Sequence, residues 1–295
     1  MVRKSRKQKT AFLSWLTPVL EQAGYSVTVQ KGGIRCRNLI VGDPERAKLV
    51  LTAHYDTCAV MPIPNFITPG SILFYLLYQI GLTLLLFAAA AAVAALVSLL
   101  AGTAAIAGLV FLLCVITETV LMMAGPANKH TYNDNSSGVV TLLETALSLP
   151  PQLRDKVCFV FFDNEELGLL GSSLFHRRYR KIMRDKPLLN FDCVSDGDHI
   201  LILPSKAVRK QEELMQLLQR SFVSQDSKTV TVCKKSLLYP SDQTNFNFGI
   251  GAAAFKKAPV LGLYMDRIHT PRDTVFDEEN IQLLCHSAQR LAELL

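Results

Sequence analysis

Apolar positions along this chain follow two rhythms. Short, nearly unbroken runs dominated by Val, Leu, Ile and Phe occur at 48–53, 157–162, 188–191, 200–203 and 260–265, and these, with the alternating Val and Thr of 228–234, each predict a strand. Between them apolar residues recur at helical spacing over 11–23, 138–149, 167–180, 208–222 and 277–294. Strands alternating with helices argue for one α/β domain, a mixed central β-sheet flanked on both faces by helices. Gln30–Lys31–Gly32–Gly33 predicts a hairpin turn between two short strands near the start. The chain shows no internal repeat and no Gly-rich phosphate loop.

A different pattern interrupts the alternation. Between Cys58 and Lys129 the only charged residue is Glu118. Stretches 71–99 and 103–124 each exceed the roughly 20 apolar residues needed to cross a hydrocarbon core, so they predict a transmembrane helical hairpin. A pair of buried core helices is the competing account. It fails on length, since two consecutive uncharged segments would make a core far more apolar than globular domains show. Leu100–Ala101–Gly102 would form only a turn on the far side, and the small residues of 88–95 would let the helices approach closely. The predicted organisation is a domain at 1–58 and 129–295, with the hairpin at 66–126 inserted into it. Glu118 is costly in lipid, so it should face the partner helix, snorkel to an interface or line a polar site.

Charge then sets topology. A hairpin returns the chain to its starting side, so both halves of the domain share one face of the membrane. The first nine residues include Arg3, Lys4, Arg6, Lys7 and Lys9, with no signal-type apolar run behind them. Retained positive charge places that face in the cytoplasm, giving a two-span, multi-pass protein. The net charge of +6 suits a membrane surface better than nucleic acid, because no aromatic-basic motif accompanies it. Arg177, Arg178, Arg180, Lys181 and Arg184 either lie against anionic headgroups or form a solvated helix face. Seven scattered cysteines, with Cys114 inside the second span, fit reduced thiols.

Candidate chemistry gathers where strands end. His54 and Asp56 follow the first strand, and a metal-ligating imidazole usually hands its other ring N–H to a carboxylate or carbonyl. Asp134 lies in a polar loop that runs into a helix, with Ser136 or Ser137 available as a cap. The adjacent carboxylates Glu165 and Glu166 end another strand and repel one another, so a cation or a shared proton must be near. Asp192 and His269 follow later strands. Taken singly these are a polar strand end, a capped helix and an acidic turn. Their recurrence at strand ends fits the place where ligands converge in open α/β sheets.

The motifs His54–Tyr55–Asp56, Asn133–Asp134–Asn135–Ser136–Ser137–Gly138, Glu165–Glu166–Leu167–Gly168–Leu169–Leu170–Gly171–Ser172, Asn190–Phe191–Asp192 and His269–Thr270–Pro271–Arg272–Asp273 resemble those of the M28 family of zinc aminopeptidases and carboxypeptidases. Ser241–Asp242 before Phe246 and Gly249–Ile250 resembles a late motif of that family. The resemblance implies two Zn2+ per chain, bridged by Asp134, with His54 and Asp192 completing one site and Glu166 and His269 the other. It implies Glu165 as general base and Asp56 as the group that orients His54. Tyr239 falls where some members place a tyrosine that helps hold the oxyanion, and a packed strand-end tyrosine is the alternative.

The implied activity is that of a membrane-anchored di-zinc exopeptidase, an aminopeptidase acting on peptides. An N-acyl amino acid amidase of the same fold, taking acyl-amino acids, and a non-hydrolytic membrane scaffold or receptor remain alternatives. Glutaminyl cyclases share the fold with a single zinc, and the 133–138 loop looks more like the peptidase version. The hairpin leaves soon after Asp56 and returns just before Asp134, which puts its base beside the metals. A bilayer partner would then favour hydrophobic or acylated substrates, and the hairpin also offers a surface for a homo-oligomer.

Overall fold

The computed structural model describes residues 1–33, 35–225 and 227–295. Ser5 starts the first helix, α1 (Arg6–Gln22), through a capping box: its side chain accepts from the Gln8 N–H, and the Gln8 side chain accepts from the Ser5 N–H. Phe12, Leu13, Leu16 and Leu20 line its buried face. Strands β1 (Val27–Gly32) and β2 (Cys36–Val41) form an antiparallel hairpin, but Gln30, Lys31 and Gly32, expected in its turn, lie in β1 and pair with Asn38, Arg37 and Cys36. Gly33 and Arg35 are turn residues with positive φ.

The chain continues through β3 (Leu49–His54), α2 (Ile72–Ala101), α3 (Ala107–Ala124), α4 (Gly138–Ser148), β4 (Val157–Phe162), α5 (Leu170–Tyr179), β5 (Leu188–Phe191) and β6 (His199–Pro204). It ends with α6 (Lys206–Arg209), α7 (Glu212–Ser221), β7 (Thr229–Val232), β8 (Gly249–Ala258), β9 (Gly262–Tyr264) and α8 (Glu278–Leu294). The sheet order is β1-β2-β4-β3-β5-β8-β6-β7, with β9 paired to β8. The central strands β4, β3, β5 and β8 are parallel, and the flanking pairings to β2 and β6 are antiparallel. Every residue of β3, β4 and β5 is buried, as a parallel core covered on both faces requires. One face packs on α1, α4, α7 and α8; the other packs Phe162 and Val160 against Phe175 and Met183.

Two expectations about elements change. The 208–222 helix is two helices, α6 and α7, broken at Lys210 and Gln211. The run at 260–265 yields only the three-residue β9, while the ten-residue β8 lies in the middle of the sheet. Its Gly249–Ile250–Gly251–Ala252–Ala253–Ala254 sequence carries little strand propensity. Glycine is needed at 249 because Gln243 presses on the strand: a Cβ there would lie 2.0 Å from the Gln243 carbonyl oxygen.

The apolar segment forms two long helices packed on each other, with the Phe87 and Phe111 rings 5.9 Å apart. Gly102, at φ 65°, closes the turn between them. Only Ala90 and Ala94 of α2 are buried, and no residue of α3 is. A core-helix account requires burial, so the exposed helices exclude it. Half-buried Phe111, Cys114, Val115 and Glu118 recur at helical spacing along α3. Glu118 therefore lies on the side turned toward α2.

The root of this hairpin is stitched into the domain. Val60 donates to the Pro126 carbonyl at 2.8 Å and Asn128 to the Cys58 carbonyl at 3.1 Å. Ile67 and Met265 exchange backbone hydrogen bonds, and Met61 donates to the His269 carbonyl at 2.7 Å. The basic run after α5 sits elsewhere. Asn247 Nδ2, just before β8, donates to the Arg184 carbonyl, which seats Arg180 to Arg184 by the start of that strand.

Candidate metal centre

Parallel register brings the strand ends level. His54 is the partner of Phe162, so the loop that follows β4 emerges beside it, and Asp192 follows Phe191 one strand over. The loop Tyr132–Ser137 delivers Asp134 from the hairpin side, and its Asp134–Asn135 peptide is cis. A Cβ at Gly138 would lie 2.3 Å from the Phe191 carbonyl oxygen, so only glycine lets this loop close on β5. Asn164, Cys193 and His269 hold left-handed φ values of 57°, 55° and 63°. Each is a candidate ligand or the neighbour of one, which is where such strain is commonly stored.

The seven predicted polar residues converge. His54 Nε2 lies 3.4 Å from Asp134 Oδ1 and 3.5 Å from Asp192 Oδ1, while His269 Nε2 lies 3.1 Å from Asp134 Oδ2 and 3.4 Å from Glu166 Oε2. Asp134 thus offers one oxygen to each of two clusters. Donor atoms of His54, Asp134 and Asp192 lie within 4.8 Å of one another, as do those of Cys58, Asp134, Glu166 and His269, and those of His54, Glu165 and Glu166. Cys58 was not foreseen as part of this centre.

Supporting contacts fix the donors. Asp56 Oδ1 is 3.5 Å from His54 Nδ1, and its two oxygens accept the backbone N–H groups of Glu165 and Glu166 at 3.0 and 3.2 Å. Asp273 does the same for the Asp134 loop, accepting from the N–H groups of Asn133 and Asp134 at 2.8 and 3.0 Å. Asn133 Oδ1 accepts from Ser195 and Asp196, tying that loop to the one after β5. Tyr239 is buried, and its phenol donates to the Asp192 carbonyl at 3.0 Å. The contact seats the hydroxyl beside a candidate ligand.

Two cations from the basic start of the chain are also spent here. Arg3 is only 4% exposed; its guanidinium donates to the Tyr55 carbonyl and to Ser136 Oγ, and its backbone N–H to Thr57 Oγ1. It stacks over Phe12, which in turn stacks on Tyr55. Lys9 is buried against Asp163 and Asn164, at the root of the Glu165 loop. Periodicity does not reveal such use, because both residues sit in a run that reads as solvated charge.

Protons are distributed as a crowded acid cluster dictates. Burial opposes the charge on His269, but the Glu166 and Asp134 carboxylates outweigh it and raise the imidazole to about 9. His54 is likewise held well above its ordinary value, with Glu165, Asp134, Asp192 and Asp56 overcoming burial. Burial and then Asp134 push Glu166 up to about 8, and burial with neighbouring carboxylates raises Glu165. Despite that, His54 Nδ1 and Nε2 and Glu166 Oε1 are buried without a hydrogen-bond partner. Orphaned buried groups cost about 1–3 kcal/mol each. Imidazole and carboxylate donors 3.1–3.5 Å apart are spaced like the ligands of one tetrahedral zinc, each about 2.0–2.2 Å from the ion. The donor set fits zinc.

Residues 119–294 match the description of peptidase family M28. The chain belongs to peptidase family M28. The matched region holds Asp134, Glu165, Glu166, Asp192 and His269 and begins inside α3, so the place of His54 and Asp56 in this M28 chain rests on geometry. A "Probable lipoprotein aminopeptidase LpqL" of Mycobacterium tuberculosis is 34% identical over 109 residues, covering 31% of this chain and 21% of that protein. A "Probable leucine aminopeptidase" of Arthroderma otae is 25% identical over 166 residues, covering 52% of this chain and 44% of its own length. The chain thus spans less than half the length of these curated relatives. A crystal structure of Porphyromonas gingivalis glutaminyl cyclase superposes with a TM-score of 0.61 at 17% identity, over 99% of this chain and 91% of that one. At that identity the likeness shows the M28 fold alone.

Proposed function

We propose that this M28 protein is a membrane-anchored, zinc-dependent aminopeptidase that holds two zinc ions and hydrolyses peptide bonds. The observation that carries the reading is Asp134, with one carboxylate oxygen directed at the His54–Asp192 pair and the other at the His269–Glu166 pair. A cyclase would need one ion; two donor clusters around a shared carboxylate favour hydrolysis. Both curated relatives carry aminopeptidase names, which supports the choice of the amino end.

His54, Asp134 and Asp192 would hold the first ion, and Asp134, Glu166 and His269 the second. A pair of such ions supplies Lewis acidity, acidifying a water and polarising the scissile carbonyl. The chain's own residues do the rest. Glu165 stands in the His54–Glu166 cluster, takes the proton of the attacking water and passes it to the leaving amine. Asp56 keeps the His54 ring oriented and, through the N–H groups of 165 and 166, holds the acidic pair in place.

In this reading 1–58 and 129–295 form the catalytic domain and 66–126 a two-span membrane hairpin, with the domain on the cytoplasmic face. Both helices are long and apolar enough to cross a bilayer. The test is purified protein in lipid nanodiscs with zinc. We expect Glu165→Gln to retain metal while hydrolysis of aminoacyl peptides falls by roughly 10²–10⁴-fold. Unchanged turnover, or wild-type protein that cleaves peptides undiminished after chelation, overturns the proposal. Release of acyl chains rather than amino acids from a mixed library would select the N-acyl amino acid amidase.

A further inference from the structure

Cys58 lies outside the ligand set that the M28 motifs supply. It sits on the outgoing leg of the hairpin, four residues after His54, and is fully buried. Backbone pairing of that leg fixes its position. Asn128 donates to the Cys58 carbonyl, the bridge between Ala59 and Ala127 follows, and Met61 donates to the carbonyl of His269 itself. Asn128 Nδ2 also donates to the Thr270 carbonyl at 2.9 Å, so Cys58 and the His269 turn are held to one another by the same few residues.

The result is a four-donor cluster: Cys58 Sγ, Asp134, Glu166 and His269, all within 4.8 Å of one another. A second observation concerns one of these donors. Glu166 Oε1 is buried with no partner, on a side chain that is 8% exposed.

We propose that Cys58 is a thiolate ligand of the second ion, completing a Cys–Asp–Glu–His set. This rests on the two-ion reading above. As the sulfur–metal bond forms, the thiol proton passes to solvent. Three nitrogen and oxygen donors plus sulfur close a tetrahedral zinc site, whereas His54, Asp134 and Asp192 leave the first ion a fourth position. The two ions then divide the work: the first keeps the open position for chemistry, and the second is a fixed charge anchored to the hairpin root. Thiolate also biases the second site toward zinc and cadmium over manganese and magnesium.

Cobalt substitution reads this directly. Metal-free full-length protein in nanodiscs, titrated with Co2+, should take up two ions per chain and develop a sulfur-to-cobalt charge-transfer band in the near ultraviolet. Cys58→Ser should abolish the band and weaken one of the two ions by on the order of a hundredfold. Cys193→Ala should keep the band, because Cys193 lies beside Asp192 in the other cluster. Two bound cobalt ions without the band in the wild type overturn the proposal and leave the two-ion reading intact. So does a band that survives Cys58→Ser. Failure to bind cobalt at all removes both. The wild-type spectrum decides the matter even where a variant misfolds.

Discussion

At the scale of single residues the centre is a problem in proton storage. With the metals chelated away, His269 titrates at about 9 and Glu166 at about 8, against ordinary values of 6.5 and 4.5. Both groups bind protons more tightly folded than unfolded. Their contribution to the metal-free fold is therefore fully present below the ordinary values and is lost as pH rises through about 8 to 9. We expect the melting temperature of chelated protein to fall between pH 6 and pH 9. A cation replaces those protons, so zinc should restore stability most at the alkaline end, and zinc affinity should rise with pH up to about 9. Melting curves of chelated protein that are flat or rising over this range would contradict the assignment. Asp273 belongs to the same account, since it accepts the N–H groups of Asn133 and Asp134 while burial, then the nearby Asp134 charge, raises its carboxyl to about 7.

At the scale of elements, the site depends on loops held from outside the sheet. Lys9 on α1 lies against Asp163, both nearly inaccessible. Removing one member of a buried pair leaves an uncompensated charge and costs about 3–5 kcal/mol. Lys9→Met should destabilise the protein by that amount in denaturant titration, and the double variant Lys9→Met with Asp163→Asn should recover most of it. A loss of under 1 kcal/mol for Lys9→Met would show that the pair does not hold the loop. This is also where sequence and structure part. Strands β3, β4 and β5 and the ligands at their ends are legible, because apolar runs and acidic or histidine residues next to them are local patterns. Strand β8 is not legible, since close approach of Gln243 favours Gly at 249 and 251 where propensity asks for branched side chains. Arg3, Lys9 and Cys58 are likewise hidden. Their partners lie across the fold, and nothing beside them in the chain marks a buried use.

At the scale of the whole molecule, the hairpin and the donors occupy the same edge of the sheet. Lys4 Nζ donates to the Met123 carbonyl in the last turn of α3, as a cation suits a helix C-terminus. Lys4, Thr57, Met123, Ala124, Glu166 and Leu167 line one cavity of about 220 Å³, so the end of the second long helix and a candidate ligand share a wall. The basic run at Arg180 to Arg184 lies by the start of β8, where Asn247 Nδ2 donates to the Arg184 carbonyl. If α2 and α3 lie in lipid, the mouth of the centre sits within a few residues of the membrane surface. A substrate confined to that surface gains effective concentration without any new contact. We expect a lipid-anchored peptide to turn over on the order of tenfold or more faster than its soluble counterpart in proteoliposomes. The advantage should vanish in detergent, where both substrates are free to diffuse in three dimensions. Equal rates in proteoliposomes would reduce the hairpin to an anchor, because a site open to bulk water on all sides draws no benefit from the plane of the membrane.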